Sequence, residues 1–169
     1  MKILFMVLLQ VGLLFSKSID VDVANSVIEF KVRHMLFAKT KGTFERFSGH
    51  YEFDELEKRF LSLEGEVEIA SINTKDKKRD EYLKSEAFFD VQNHPKMSLK
   101  LLKMEDEKTL VKLTIKGNSQ EVLFDIEKSV LLRGKISRKA FGLHFGKLAE
   151  AGGIAVGDEV AIMIRLVGK

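Results

Sequence analysis

Leu61-Ser62-Leu63-Glu64-Gly65-Glu66-Val67-Glu68-Ile69 divides by parity into two faces, with Leu61, Leu63, Gly65, Val67 and Ile69 on one and Ser62, Glu64, Glu66 and Glu68 on the other. Successive side chains of a strand point to opposite sides, whereas a helix of about 3.6 residues per turn would scatter the polar residues round its axis. The stretch therefore reads as a strand with one face on an apolar interior and one in water.

The same pattern recurs outward from it. In Val27 to His34, Ile28, Phe30, Val32 and His34 alternate with Glu29, Lys31 and Arg33. Phe47, Tyr51 and Phe53 oppose Ser48, His50 and Glu52; Met97, Leu99 and Leu101 oppose Ser98 and Lys100; Val111, Leu113 and Ile115 oppose Lys112 and Thr114. Val122, Phe124 and Ile126 form another such set, as do Val160, Ile162, Ile164 and Leu166, with Leu131 to Arg138 a weaker one. Turn signals at Gly117-Asn118-Ser119 and Gly157-Asp158 separate strands. Thr74 to Glu86 is crowded with charge and lacks the alternation, so it reads as a short surface helix capped by Asn73 or Thr74, its end pinned by Phe88 and Phe89. Phe141 to Gly157, with Gly142, Gly146, Gly152 and Gly153, reads as a long loop or short helix before the last strand. About eight strands with one apolar face each predict an all-β fold, an antiparallel sandwich or closed barrel; closure is favoured because it removes exposed edges, and the bore of an eight-stranded barrel either fills with side chains or holds one small ligand.

The chain has 169 residues, one proline, no cysteine and no linker-like segment, which suits a single domain without disulfides or thiolate metal sites. Met1-Lys2 followed by the apolar run Ile3 to Phe15, broken by Gln10 and ended by Ser16-Lys17-Ser18, predicts a secretory signal over residues 1–18, cut after Ser18 or Ser16, leaving residues 19–169 as the domain. The run is shorter than the roughly 20 residues a membrane-spanning helix needs, so no integral anchor is expected. The 28 basic and 25 acidic residues become 26 and 25 once Lys2 and Lys17 are removed, leaving a charge of +1 with the two signs interleaved, unlike a nucleic-acid surface.

Phenylalanine accounts for 13 residues, against two tyrosines and no tryptophan. Rings without a polar handle suit either a packed core or the lining of an apolar chamber, and composition leaves both open. His34, His50, His94 and His144 share no metal-ligand spacing, so neither metal nor cofactor is expected. No Gly-x-Ser-x-Gly elbow or phosphate-cradling glycine loop occurs, which leaves hydrolase and nucleotide chemistry unsupported. Arg79-Asp80 reads as a structural ion pair fixing helix to barrel, with a head-group clamp as the alternative. His34 stands on an apolar face and is either a satisfied core residue or a polar group at a cavity mouth.

The ordered words of the chain resemble those of the YceI-like, polyisoprenoid-binding periplasmic proteins, which have a lipocalin-like barrel. They are Ile19-Asp20 and Ser26-Val27-Ile28-Glu29-Phe30-Lys31-Val32-Arg33-His34, then Lys41-Gly42-Thr43-Phe44, Phe47-Ser48-Gly49 and Ser71-Ile72-Asn73-Thr74. Arg79-Asp80-Glu81-Tyr82-Leu83-Lys84-Ser85, Phe88-Phe89-Asp90 with His94-Pro95, Leu113-Thr114-Ile115-Lys116-Gly117 and Arg138-Lys139-Ala140-Phe141-Gly142 complete the set. Asn25 departs from it, standing where a histidine commonly precedes the serine, and Asn73 stands where aspartate is frequent. The resemblance implies a hollow eight-stranded barrel that carries or sequesters a long-chain isoprenoid or fatty acyl amphiphile in the periplasm, without enzymatic activity, and it is compatible with a homodimer. Parity then assigns Ile28, Phe30, Val32, Phe47, Tyr51 and Phe53 to the lining. Leu99, Leu113, Phe124 and Ile162 join them from the later strands. Phe44, Phe88, Phe89 and Phe141 stand near the openings, and the head group lies by His34 and the loops around Ala38 to Thr43. The alternatives are a lipid-modifying enzyme with His34 as general base and a solid-core stress or interaction module.

Overall fold

The period-two stretches pair with one another, the apolar parity turned inward and the charged parity outward. The computed structural model describes residues 17–34, 38–105, 108–127, 130–145 and 156–169. Among them the strands are β1 (Ile19–Asp20), β2 (Val27–His34), β3 (Ala38–Phe44), β4 (Phe47–Asp54), β5 (Arg59–Glu68), β6 (Ile72–Asn73), β7 (Lys96–Glu105), β8 (Lys108–Ile115), β9 (Asn118–Glu127), β10 (Leu131–Ser137) and β11 (Val156–Arg165), with one helix, α1 (Lys77–Lys84). The strands form one curled antiparallel sheet in the order β1-β4-β5-β7-β8-β9-β10-β11-β2-β3-β6. Most of the expected leader, residues 1–16, lies outside the described residues, as does the 146–155 stretch of the expected long loop. Among the described residues no helix is long and apolar enough to cross a membrane.

Eleven strands stand where alternation predicts eight, two of them only two residues long. The main correction is β3, because Ala38 to Thr43, expected as loops beside the mouth, pairs residue by residue with β2. Its inward parity is Ala38, Thr40, Gly42 and Phe44, mostly small residues that leave no apolar period to read. The pairings make β3 and β4 run in the same sense, and they follow each other across Glu45-Arg46, β3 bonded to β2 and β4 to β5. They act as one bent stave, so the wall has eight staves: β2, β3 with β4, β5, β7, β8, β9, β10 and β11.

Ser71 holds that bend from the 3-10 turn Ile69–Ser71. Its hydroxyl accepts from the Glu45 and Arg46 backbone N–H groups at 3.2 and 3.0 Å and donates to the Glu68 carbonyl at 2.7 Å, and the residue is 4% exposed. Ser71→Ala removes the acceptor of the Arg46 N–H and the donor to Glu68 together. A loss of about 1–3 kcal/mol is expected, read from urea unfolding; an unchanged midpoint would show that the bend holds without the hydroxyl.

Register also corrects one residue of the opening stretch. The β4–β5 ladder slips between Glu52 and Phe53, so that Phe53 opposes Phe60 and Leu61 is left over. The slip turns Leu61 outward to 43% exposure, while Phe60 is 2% exposed.

Helix α1 is capped by Asp76, not by Asn73 or Thr74: the Asp76 carboxylate accepts from the Arg79 N–H at 3.1 Å. Thr74 instead donates its N–H and hydroxyl to one Asp80 oxygen at 2.9 and 2.6 Å, and its hydroxyl and carbonyl oxygens each accept from the Arg79 guanidinium at 2.8 Å. Arg79 and Asp80 thus fasten the helix to the barrel through Thr74. Leu83, Phe88 and Phe89 are buried beneath it and pin its end as expected. At the opposite end, where β4–β5, β7–β8 and β9–β10 turn, Phe60, Thr109, Val111 and Val130 are buried and stop the bore.

Candidate functional site

Between that stopper and α1 the curled sheet encloses a chamber of about 780 Å³, its lining almost wholly apolar. The volume lies within the roughly 300–1,000 Å³ of small-molecule sites. Ile28, Phe30, Val32 and His34 reach it from β2, Phe44 from β3 and Phe47 from β4. Leu99, Leu113, Phe124 and Ile162 reach it from β7, β8, β9 and β11, and Phe88 and Phe89 from beyond α1.

Three expected lining residues lie elsewhere. Tyr51 and Phe53 pack edge-on against Phe60 at ring separations of 6.1 and 5.0 Å, below the chamber floor. Burial, followed by the charge of Glu55, pushes the Tyr51 hydroxyl above its ordinary pKa. Phe141 is 1% exposed in the 3-10 turn Lys139–Phe141, where its carbonyl accepts from Asn118, and it borders an outer groove instead. Parity assigns a face to a side chain, but the depth at which the bore ends is set by how neighbouring rings fill it.

The hollow has an identifiable cause in glycine placement. Phe30 opposes Gly42 across β2 and β3, and Phe124 opposes Gly134 across β9 and β10. A Cβ on Gly42 would lie 2.6 Å from Phe30 Cε1, and one on Gly134 would lie 2.7 and 2.8 Å from Phe124 Cδ1 and Cε1. Each ring therefore lies across its bare neighbour instead of standing in the bore. Gly49 and Gly65 oppose each other on β4 and β5, so neither puts a side chain into the chamber there.

Toward α1 the lining gains polar groups that parity did not single out. Arg79 and Tyr82 reach the chamber from the helix, and Arg138 and Phe145 from the segment after β10. Arg138 is 4% exposed, donates to the carbonyls of Leu143 at 2.7 Å, Gly157 at 3.1 Å and Val156 at 3.1 Å, and lies 5.0 Å over the Phe145 ring. Phe145 stacks on Tyr82 at 6.0 Å and touches Phe88 at 4.8 Å. The signal for Arg138 and Arg79 lay in the family-like words that contain them; Phe145 stood in no such word. His34 sits at the rim, its strand partners Ala38 and Val156. Among the described residues no cluster of His, Asp and Glu could hold a metal ion, and no carboxylate hydrogen-bonds to His34.

The carboxylates that border the chamber belong to outward-facing residues. Glu64 pairs with Lys100, Glu66 with Lys96 at 2.6 Å, and Glu29 with Lys31 at 3.0 Å and with Lys41 at 2.5 Å. The Glu29 side chain is only 8% exposed; burial pushes its carboxyl up, but hydrogen bonds from Lys41 and Lys31 outweigh that and hold its pKa below the ordinary value. A lowered folded pKa adds stability above the unfolded value of about 4.3, and that stability is lost as pH falls through the folded pKa. Urea midpoints of wild type and Glu29→Gln should therefore converge as pH falls from neutral into that range; a gap that stays constant to pH about 3 would contradict the ion-pair origin.

The sequence and the fold both have known counterparts. The model of the YceI-like domain matches residues 20–168. The UPF0312 protein SA2479 of Staphylococcus aureus is 31% identical over 153 residues, which is 82% of this chain and 90% of that protein. Among solved structures, Burkholderia cenocepacia BcnA superposes with a TM-score of 0.70 at 24% identity, covering 88% of this chain and 99% of that one. A polyisoprenoid binding domain from Saccharophagus degradans, implicated in plant cell wall breakdown, does so with a TM-score of 0.63 at 12% identity, covering 87% and 95%. The two structural likenesses show the fold, and the family match spans nearly all of the described chain: the protein belongs to the YceI-like domain family.

Proposed function

We propose that the protein is a periplasmic carrier or sequestering protein that holds one long-chain amphiphile, a polyisoprenoid or fatty acyl lipid, with its tail in the chamber. The observation that carries this reading is the apolar bore of about 780 Å³ kept open by rings laid over glycines. An empty apolar bore forfeits packing contacts with its walls, and water finds few hydrogen-bonding partners in so apolar a space. A hydrocarbon tail answers both problems, since each methylene removed from water is worth about 0.8 kcal/mol and a dozen about 10 kcal/mol.

The related fold of a polyisoprenoid binding domain supports the cargo class, and the leader-like residues 1–18 support export. The role in this reading is carriage, with His34 at the rim as a polar group facing the head of the amphiphile. The hollow interior also leaves the solid-core module without its premise. Native mass spectrometry of gently extracted protein should show a lipid adduct, and delipidated protein should take up a fluorescent long-chain probe saturably at one per chain. Repeated preparations without lipid, together with no saturable uptake, would sink the carrier reading.

A further inference from the structure

We infer that the bore measures its cargo: the tail is one straight acyl chain or a short prenyl chain, its length limited by the rings of Tyr51, Phe53 and Phe60. This rests on the carrier reading and narrows the ligand class within it. At about 30 Å³ for each water-sized group at liquid density, the chamber of about 780 Å³ holds about 26 carbons, or about five isoprene units.

The limit has a visible origin in the wall. Along β4 the lining includes Gly49 but not Tyr51, along β5 Leu63 but not Phe60, and along β8 Leu113 but not Val111. Tyr51, the first ring below the lining on β4, stands opposite Leu63 in the β4–β5 ladder. Phe60 meets Tyr51 edge-on at 6.1 Å and Phe53 edge-on at 5.0 Å, so the three rings form one plug. Tyr51 is 5% and Phe60 2% exposed. The plug exists because the ladder slips between Glu52 and Phe53. That slip sets Phe60 opposite Phe53 and turns Leu61 outward, where unbroken parity would have put the smaller leucine inside. A tail that reaches the plug meets packed rings. Carbons in excess stay at the open end, in water, and each methylene left there disfavours binding about fourfold.

The test offers delipidated wild-type protein an equimolar mixture of laurate, palmitate, arachidate, lignocerate and montanate in detergent micelles, and reads the captured lengths by native mass spectrometry. In a micelle every methylene is already out of water, so capture reports fit. Lignocerate is expected to be captured most, with montanate about tenfold or more below it. Geranylgeraniol, offered together with solanesol, should exceed it likewise. Tyr51→Ala frees on the order of 100 Å³, room for about three carbons, and should raise montanate about tenfold relative to lignocerate. Tyr51→Leu, which keeps an apolar side chain in the plug if the alanine variant does not fold, should move that ratio the same way by less. Leu63→Trp sets a larger ring above the plug and should lower lignocerate about threefold or more relative to arachidate. Maxima that fail to move in opposite directions in the Tyr51 and Leu63 variants, or montanate and solanesol captured as well as their shorter partners, overturn the inference and leave the carrier reading standing. Failure of every length to bind, with no saturable uptake of a fluorescent long-chain probe, overturns both.

Discussion

Phe124→Ala is expected to cost about 3–5 kcal/mol, a large share of the roughly 5–15 kcal/mol that stabilises a domain of this kind. Phe124 is 0% exposed, opposes Thr109 on β8 and lies across Gly134 on β10. Truncation leaves a hole that the surroundings cannot close, because the backbones of β8, β9 and β10 are fixed by their own ladders and Gly134 has no side chain to lean in. The hole opens into the chamber, so the floor of the bore is lost along with the packing. Chemical unfolding of wild type and variant tests this, and a cost below about 1 kcal/mol would show that the ring is a passive lining group. The partner substitution supplies the control. Gly134→Ala alone should destabilise by about 1–3 kcal/mol because it drives a methyl into the Phe124 ring. In the Phe124→Ala background the same methyl has room, and the two effects should fail to add by at least about 0.5 kcal/mol.

Much of this arrangement is legible in the residues before any coordinate. Where large apolar and charged residues alternate, as in Val27 to His34, both the strand and its inward face follow from period alone. Where the inward face is small, as at Ala38, Thr40 and Gly42, the same geometry leaves no mark, and β3 reads as loop. Leu61 fails for a different reason: parity counts residues along one strand, whereas the slip opposite Glu52 and Phe53 belongs to a pair of strands. Tyr51 and Phe53 sit on the expected face but at a depth set by Phe60, which neither residue's neighbours in sequence reveal. Besides nearer carbonyls, Ser71 reaches amides 25 and 26 positions away and Arg138 carbonyls 18 and 19 positions away, and that part of their work is invisible until the chain is folded. The Phe-over-Gly pairs combine both limits, since each half is ordinary and only the register makes them opposite.

Gly42→Val is therefore expected to close the bore, lowering affinity for a long-chain probe by about tenfold or more and costing about 1–3 kcal/mol of stability. Strand propensity alone predicts the opposite sign, because β-branched valine is favoured over glycine in a strand, on a scale spanning about 1 kcal/mol. Packing decides against it. A Cβ at position 42 lies 2.6 Å from Phe30 Cε1 and 3.0 Å from Thr74 Cγ2, so the new side chain is hemmed in by the ring on one side and the Thr74 node on another. Thr74 is 4% exposed and bound to both Arg79 and Asp80, which leaves the Phe30 ring as the group able to move. Turning off its glycine, the ring has the chamber to enter, where it takes the volume of the tail. Phe30→Ala in the Gly42→Val background removes the displaced ring and should restore uptake of the probe even though stability falls further. Undiminished binding by Gly42→Val, or a double variant that binds no better than the single one, would show that the Phe30 ring does not govern the width of the bore.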